Sequence, residues 1–202
     1  MDSNEAKSAQ LHPTETKTVP AKVEAGLPAG QPTPPSDPPS GGIVSRAAVI
    51  VATVCGVGYA PVAPGTWGTA AAIPLVWASA GIPQWGYLAL CAAVTLVAIA
   101  AAAGAERAFA AHDSGKIVVD EVAGYFWTLA AVRDRADPWL LLAGFVLFRI
   151  ADIVKPPPAR AIDRRLAGGP GVVLDDVAAA LWSAAALAAL DRFGLFAHLT
   201  SP

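Results

Sequence analysis

The stretch GYLALCAAVTLVAIAAAAGA, Gly86 to Ala105, decides the fold class. It carries no charge over 20 residues, and a helix of about 20 residues, at about 1.5 Å each, matches the hydrocarbon core of a bilayer. Its Ala and Leu favour helix, and it lacks the period-two alternation of a transmembrane barrel strand. It reads as a transmembrane helix.

The apolar character extends well beyond it. From Ala47 to Ala105 there is no Asp, Glu, Lys, Arg or His, a run of 59 residues that a water-exposed surface could hardly provide. The chain has 202 residues, of which 54% are hydrophobic and 15% charged, with mean hydropathy +0.49. These values predict an all-α, polytopic integral membrane helical bundle, one domain over residues 43–202 with about four membrane-embedded helices. Gly68 to Gly81 is apolar but short and carries Pro74, so a broken, re-entrant element is expected there. Val122 to Val132, Pro138 to Phe148 and Val177 to Leu190 are apolar segments that each join a charged group at one end. No internal repeat is visible.

Residues 1–42 differ in kind. They hold eight of the 18 prolines and few large apolar side chains, the composition of a disordered tail. They also hold five acids against three bases, which leaves 11 of each sign in the remainder and no basic excess for nucleic acid. No cleavable secretory signal is expected, and insertion would rely on the first internal apolar segment. Cys55 and Cys91 stand alone in apolar surroundings and read as packing residues. The segment from Lys155 to Gly171 carries Lys155, Arg160, Arg164 and Arg165 against Asp163. By the positive-inside rule it faces the cytoplasm, and the other charged clusters are expected on the same side.

Four charged or glycine-rich segments are candidates for chemistry. In GYAPVAPGTWGT, Gly58 to Thr69, a Gly/Pro turn runs into a helix whose free N–H groups suit phosphate, with Thr66 or Thr69 adding a hydroxyl. The plainer alternative is a helix cap with Thr66 as N-cap. In GKIVVDEVAG, Gly115 to Gly124, Asp120 and Glu121 are set among apolar residues. They are either a cation site or the carboxylates that a helix N-terminus favours.

In FRIADIVKPPPARAIDRR, Phe148 to Arg165, the spacing of Arg149, Asp152 and Lys155 puts one carboxylate and two phosphate-competent cations on one helical stripe. A salt-bridge ladder is the alternative. In AGGPGVVLDDVAAALW, Ala167 to Trp182, Asp175 and Asp176 follow a glycine loop at the start of an apolar helix, as metal ligands or, for Asp175, as a cap.

Together Asp120, Glu121, Asp152, Asp175 and Asp176 are the candidate metal ligands, and oxygen donors without usable Cys or His favour Mg²⁺. Arg149 and Lys155 are the candidate phosphate ligands. The combination suits phosphoryl transfer, with a carboxylate as base. Cys55 lacks the anion loop of a cysteine phosphatase, there is no Asp-x-Asp-x-Thr motif, and among the histidines only His112, beside Asp113, lies near a cluster.

PGTWGT, VVDEVAG, FRIADIVKPPP and GGPGVVLDD occur in an order and spacing that resemble the phosphatidylglycerophosphatase A family over about residues 55–190. The resemblance implies a Mg²⁺-dependent phosphatase of the bacterial inner membrane that converts phosphatidylglycerophosphate to phosphatidylglycerol. Nothing in the sequence points to an obligate protein partner. Carried over by motif, the resemblance implies Gly65, Thr66, Asp120, Glu121, Asp152, Lys155, Asp175 and Asp176 as site residues. Of these, Glu121, Asp152 and Asp176 are read as the catalytic carboxylates. Val119 and Pro157 depart from the family, which often has a bulky aromatic and a tryptophan there, and the Pro-rich tail is an extension beyond it. A head-group transferase would use similar acids, but the Asp-Gly-x-x-Ala-Arg run it needs is absent. An ion carrier would place charges mid-helix and show internal repetition.

Overall fold

The computed structural model describes residues 42–111 and 114–194. The tail expected over residues 1–42, save its last residue, and His112, Asp113 and His198 lie outside the described residues. The described chain forms α1 (Ile43–Ala52), α2 (Pro64–Ala78), α3 (Gln84–Phe109), α4 (Val119–Thr128), α5 (Pro138–Val154), α6 (Ala159–Arg165) and α7 (Gly169–Arg192). Short 3₁₀ turns occupy Val57–Tyr59 and Leu129–Ala131, and no strand occurs among the described residues. The expectation of an all-helical fold holds.

Two of these helices, α3 and α7, are long and apolar enough to cross a membrane. Along α3, Tyr87, Cys91, Ala98, Ala102 and Ala105 are buried at helical spacing, whereas Trp85, Leu96 and Val97 face outward. Small residues let the neighbours come close. Gly104 of α3 lies against Ala48 of α1, and Gly169 of α7 lies against the α3 backbone at Ile99 and Ala103. Gly168 caps α7 at φ 74°, a left-handed value that glycine adopts without a Cβ penalty.

The short helix α4 is the most enclosed element, packed on α2, α3 and α7. Tyr125, Phe126, Leu129, Phe148 and Leu187 form the centre of the core around it. Hydrogen bonds tie its aromatic side to its neighbours. Tyr87 donates to the Phe126 carbonyl at 3.0 Å, Tyr125 to the Leu141 carbonyl at 2.8 Å, and Trp127 Nε1 to Thr95 Oγ1 at 2.9 Å. Beyond the C-terminal end of α4, buried Arg135 donates to Gln84 Oε1, the Val132 carbonyl and the Ile82 carbonyl at 2.9, 3.0 and 2.7 Å. Its guanidinium also lies 4.0 Å from the centre of the Tyr87 ring. Nothing in the sequence pattern singled out Arg135.

Several local expectations need correction. The broken helix expected over Gly68 to Gly81 is one continuous helix that starts earlier, at Pro64, and runs through Pro74. Ala63, in the left-handed region at φ 48°, is its N-cap, so Thr66 is not the cap. Cys91 packs in the core as expected, but Cys55 is exposed, because the turn after α1 takes Val54 and Cys55 into left-handed conformations. Asp175 is no cap either, since α7 begins at Gly169 and places it in the second turn.

Gly124 of α4 lies directly under the Phe148 ring and 3.3 Å, by its absent Cβ, from the Asp176 carbonyl. Gly124→Ala therefore overpacks the core, at a cost of about 1–3 kcal/mol. Thermal unfolding in detergent should show a clear fall in Tm, whereas Gly81→Ala, with open space around it, should leave Tm nearly unchanged.

Candidate active site

Four helix ends meet at one end of the bundle. The N-termini of α2, α4 and α7 and the C-terminus of α5 line a cleft of about 290 Å³, which includes Gly65, Asp120, Glu121, Arg149, Asp152, Lys155, Asp163, Asp175 and Asp176. Three N-terminal dipole ends turned to one place favour negative charge there. The candidates scattered over the sequence thus converge, with two exceptions: Thr66 is half-buried and Thr69 is buried with its hydroxyl donating to the Gly65 carbonyl at 3.0 Å, and neither is among the residues lining the cleft.

Each arrival has a local cause. The Val118 amide donates to the Ala52 carbonyl at 2.8 Å, which fixes the entry to α4. The first turn of α4 then carries Asp120 and Glu121 inward. Arg149 and Asp152 share one face of α5 at i, i+3, and Arg149 Nη1 stands 2.8 Å from Asp152 Oδ2 and 3.7 Å from Glu121 Oε1. Lys155 does not continue their stripe. It caps α5 in the left-handed region at φ 47°, and its ammonium turns instead to Asp175 of α7 and Asp163 of α6. Gly65 sits so close that a Cβ would collide with Glu121 Oε1.

The acids are poorly compensated by the protein itself. One oxygen each from Asp120, Glu121 and Asp176 lies within 4.8 Å of the others. Asp120 Oδ1, Glu121 Oε2 and Asp175 Oδ1 are buried without a hydrogen-bond partner. Burial, the Glu121 charge and the Asp176 charge push Asp120 well above the usual carboxylate range. Burial also pushes Glu121 up, helped by Asp152 and opposed by its bond to Asp120 and by Arg149. Burial alone would lower Lys155, but its hydrogen bonds to Asp175 and Asp163 and the charge of Asp176 hold the ammonium above the normal lysine range. Lys155 is thus held as a cation, and the oxygens of Asp120, Glu121 and Asp176, two of these residues carrying an orphaned oxygen, form an all-oxygen donor set that can hold a metal ion.

Asp175 differs from its neighbour Asp176, because its Oδ2 is committed to Lys155. Asp163 belongs to the cleft as well, which sequence reading passed over as the lone acid of a basic loop. Its spacing from Lys155 across three prolines carried no helical signal.

The family profile described as Phosphatidylglycerophosphatase A matches residues 50–191. Phosphatidylglycerophosphatase A of Escherichia coli strain K12 is 38% identical over 143 residues, covering 68% of this chain and 80% of that protein. The Haemophilus influenzae protein of the same name is 43% identical over 84 residues, covering 42% of this chain and 51% of its own length. A Bacteroides thetaiotaomicron protein, named as a candidate phosphatidylinositol-3-phosphatase, is 37% identical over 142 residues, covering 67% of this chain and 87% of its own. No solved structure matches. The match spans every helix that lines the cleft, and the chain belongs to the phosphatidylglycerophosphatase A family.

Proposed function

We propose that the chain is a multi-pass enzyme of the bacterial inner membrane that hydrolyses phosphatidylglycerophosphate to phosphatidylglycerol and inorganic phosphate, with Mg²⁺ as cofactor. The observation that carries the reading is the buried cluster of acids, with orphaned oxygens, set beside Arg149 and Lys155 in one cleft. Family membership supplies the substrate. The many outward-facing apolar side chains, among them Trp67, Trp77, Trp85, Leu96, Leu181 and Trp182, support a lipid surrounding. The basic segment on and after α5 supports a cytoplasmic cleft. Residues 43–202 form the catalytic domain.

Asp120, Glu121 and Asp176 would hold the cation, with Asp152 and Asp175 as further carboxylates of the same cleft. Mg²⁺ there would neutralise phosphate oxygens and ease ionisation of water. Arg149 and Lys155 bind the terminal phosphate, and the amides at the α2 N-terminus beside Gly65 add donors. Asp152, oriented by Arg149, accepts the proton of the attacking water. The new bond joins water oxygen to phosphorus, and the bond from phosphorus to the glycerol oxygen breaks, with a proton returned to that oxygen. Little covalent chemistry is asked of the protein beyond position and charge. A head-group transferase would need a second alcohol at the same place, and no observation favours one.

Phosphate release by the purified full-length protein in detergent tests the reading. Release should require Mg²⁺, stop with EDTA, and fall by at least about a hundredfold in Asp176→Asn and Glu121→Gln. No release with Mg²⁺ would overturn the function, and full activity in both variants would overturn the site. The named activity of the Bacteroides relative makes phosphatidylinositol 3-phosphate the second substrate to assay, and the proposal expects slower turnover of it.

Gly65→Ala probes the approach of α2 independently. A methyl group there meets the Glu121 carboxylate, so activity should drop by about tenfold or more while Tm changes little, as expected where only a fine placement is lost.

A further inference from the structure

The proposed substrate carries two phosphates: the terminal monoester that is cleaved and an internal phosphodiester that joins the glycerol to the diacylglycerol. The acids and cations of the cleft are accounted for by the first. The second also bears a charge, and it must lie between the cleft and the acyl chains.

The α6 helix stands at that boundary. Asp163 and Leu166, on and just after α6, line the cleft. Ala159 and Ile162 pack against α7. At about 100° per residue, Arg160 and Arg164 fall about 60° and 100° to the outer side of Asp163, whereas Arg165 falls about 200° away, on the far face. All three arginines are exposed. Arg160 donates to the Val154 carbonyl at 2.9 Å, which anchors it across the end of α5. Arg164 has no partner among the described residues. The one acid on α6, Asp163, is engaged by Lys155.

An apolar track leads to the same place. Leu142, Val146, Ile150 and Ile153 are all exposed and recur at helical spacing along α5, on a face that adjoins Arg149 on the side opposite Asp152. The track ends one residue before Val154, where Arg160 is tied. A lipid whose chains lie along this stripe has its first phosphate level with the exposed edge of α6.

We propose that Arg164, with Arg160 beside it, is the subsite for the internal phosphodiester of the lipid substrate, the occupant of the α5 stripe being that lipid's diacylglycerol part. This rests on the proposed phosphatase reading. Recognition by a guanidinium suits a phosphodiester, which offers two oxygens to a planar pair of donors. The subsite separates a lipid with two phosphates from a simple lipid phosphomonoester such as phosphatidate.

The test compares wild type, Arg164→Gln, Arg164→Lys and Arg165→Gln in micelles of an uncharged detergent with Mg²⁺, on phosphatidylglycerophosphate and on phosphatidate. Arg164→Gln should raise KM for the two-phosphate lipid by about tenfold with kcat little changed, and leave KM for phosphatidate unaltered. Arg164→Lys should recover part of the loss, and Arg165→Gln should behave as wild type. An unchanged KM in Arg164→Gln, or an equal rise on both lipids, would overturn the subsite. Equal defects in Arg164→Gln and Arg165→Gln would assign the arginines to the membrane surface at large and also overturn it. Inactive wild type on both lipids would sink the phosphatase reading beneath it, an outcome distinct from loss of the subsite alone.

Discussion

Mutual repulsion among buried carboxylates is the constraint on which this structure turns. Charges within 4.8 Å of one another, as in the trio of Asp120, Glu121 and Asp176, repel by about 3 kcal/mol per pair even at an effective dielectric constant of about 20. The protein offsets part of this. Arg149 stands by Asp152 and Glu121, Lys155 by Asp175, and three helix N-termini point at the cluster. Orphaned oxygens on Asp120, Glu121 and Asp175 mark what is left over. A cation placed there would offset this repulsion and suit the site to a phosphate, whose oxygens bring more negative charge.

The rest of the fold can be understood as what holds these groups together in an apolar surrounding. Small residues on α3 let α1 and α7 approach, so the start of α7 sits firmly beside α3. Gly124 admits the Phe148 ring and brings α4 and α5 together near the acids. Arg135 and the tyrosine hydroxyls tie down the other end of the same helices, leaving the cleft end to be shaped by charge. Hydrogen-bonded packing thus dominates one end of the bundle and charge the other.

Much of this was legible in the sequence. A run without charge from Ala47 to Ala105 forces helices, and acids set in apolar surroundings demand partners, so both the fold class and the members of the cleft could be read from local pattern. What could not be read depends on where the chain turns. Lys155 looked like the next residue of a helical stripe, but the prolines that follow end α5 and its left-handed backbone sends the side chain to Asp175. The start of α2 at Pro64 rests on a left-handed Ala63, a conformation that alanine does not advertise. Asp163 and Arg135 find their roles through partners distant in sequence, across a proline turn and between helix ends.

The central claim is that the acid cluster is built around a divalent cation, and the stability of the cation-free protein tests it most directly. Burial raises Asp120 and Glu121 in the fold above their values in the unfolded chain. Without a cation their contribution to stability is present at low pH and is lost as pH rises from the unfolded carboxylate range through the folded values. Thermal unfolding should be followed in detergent at pH 5 and pH 8, with EDTA or with Mg²⁺. The account predicts that Mg²⁺ at about a hundred times its pH 8 Kd stabilises by about 2.7 kcal/mol at pH 8, and by less at pH 5. The gain should vanish in Asp176→Asn. A Tm that ignores Mg²⁺ at both pH values would contradict the account.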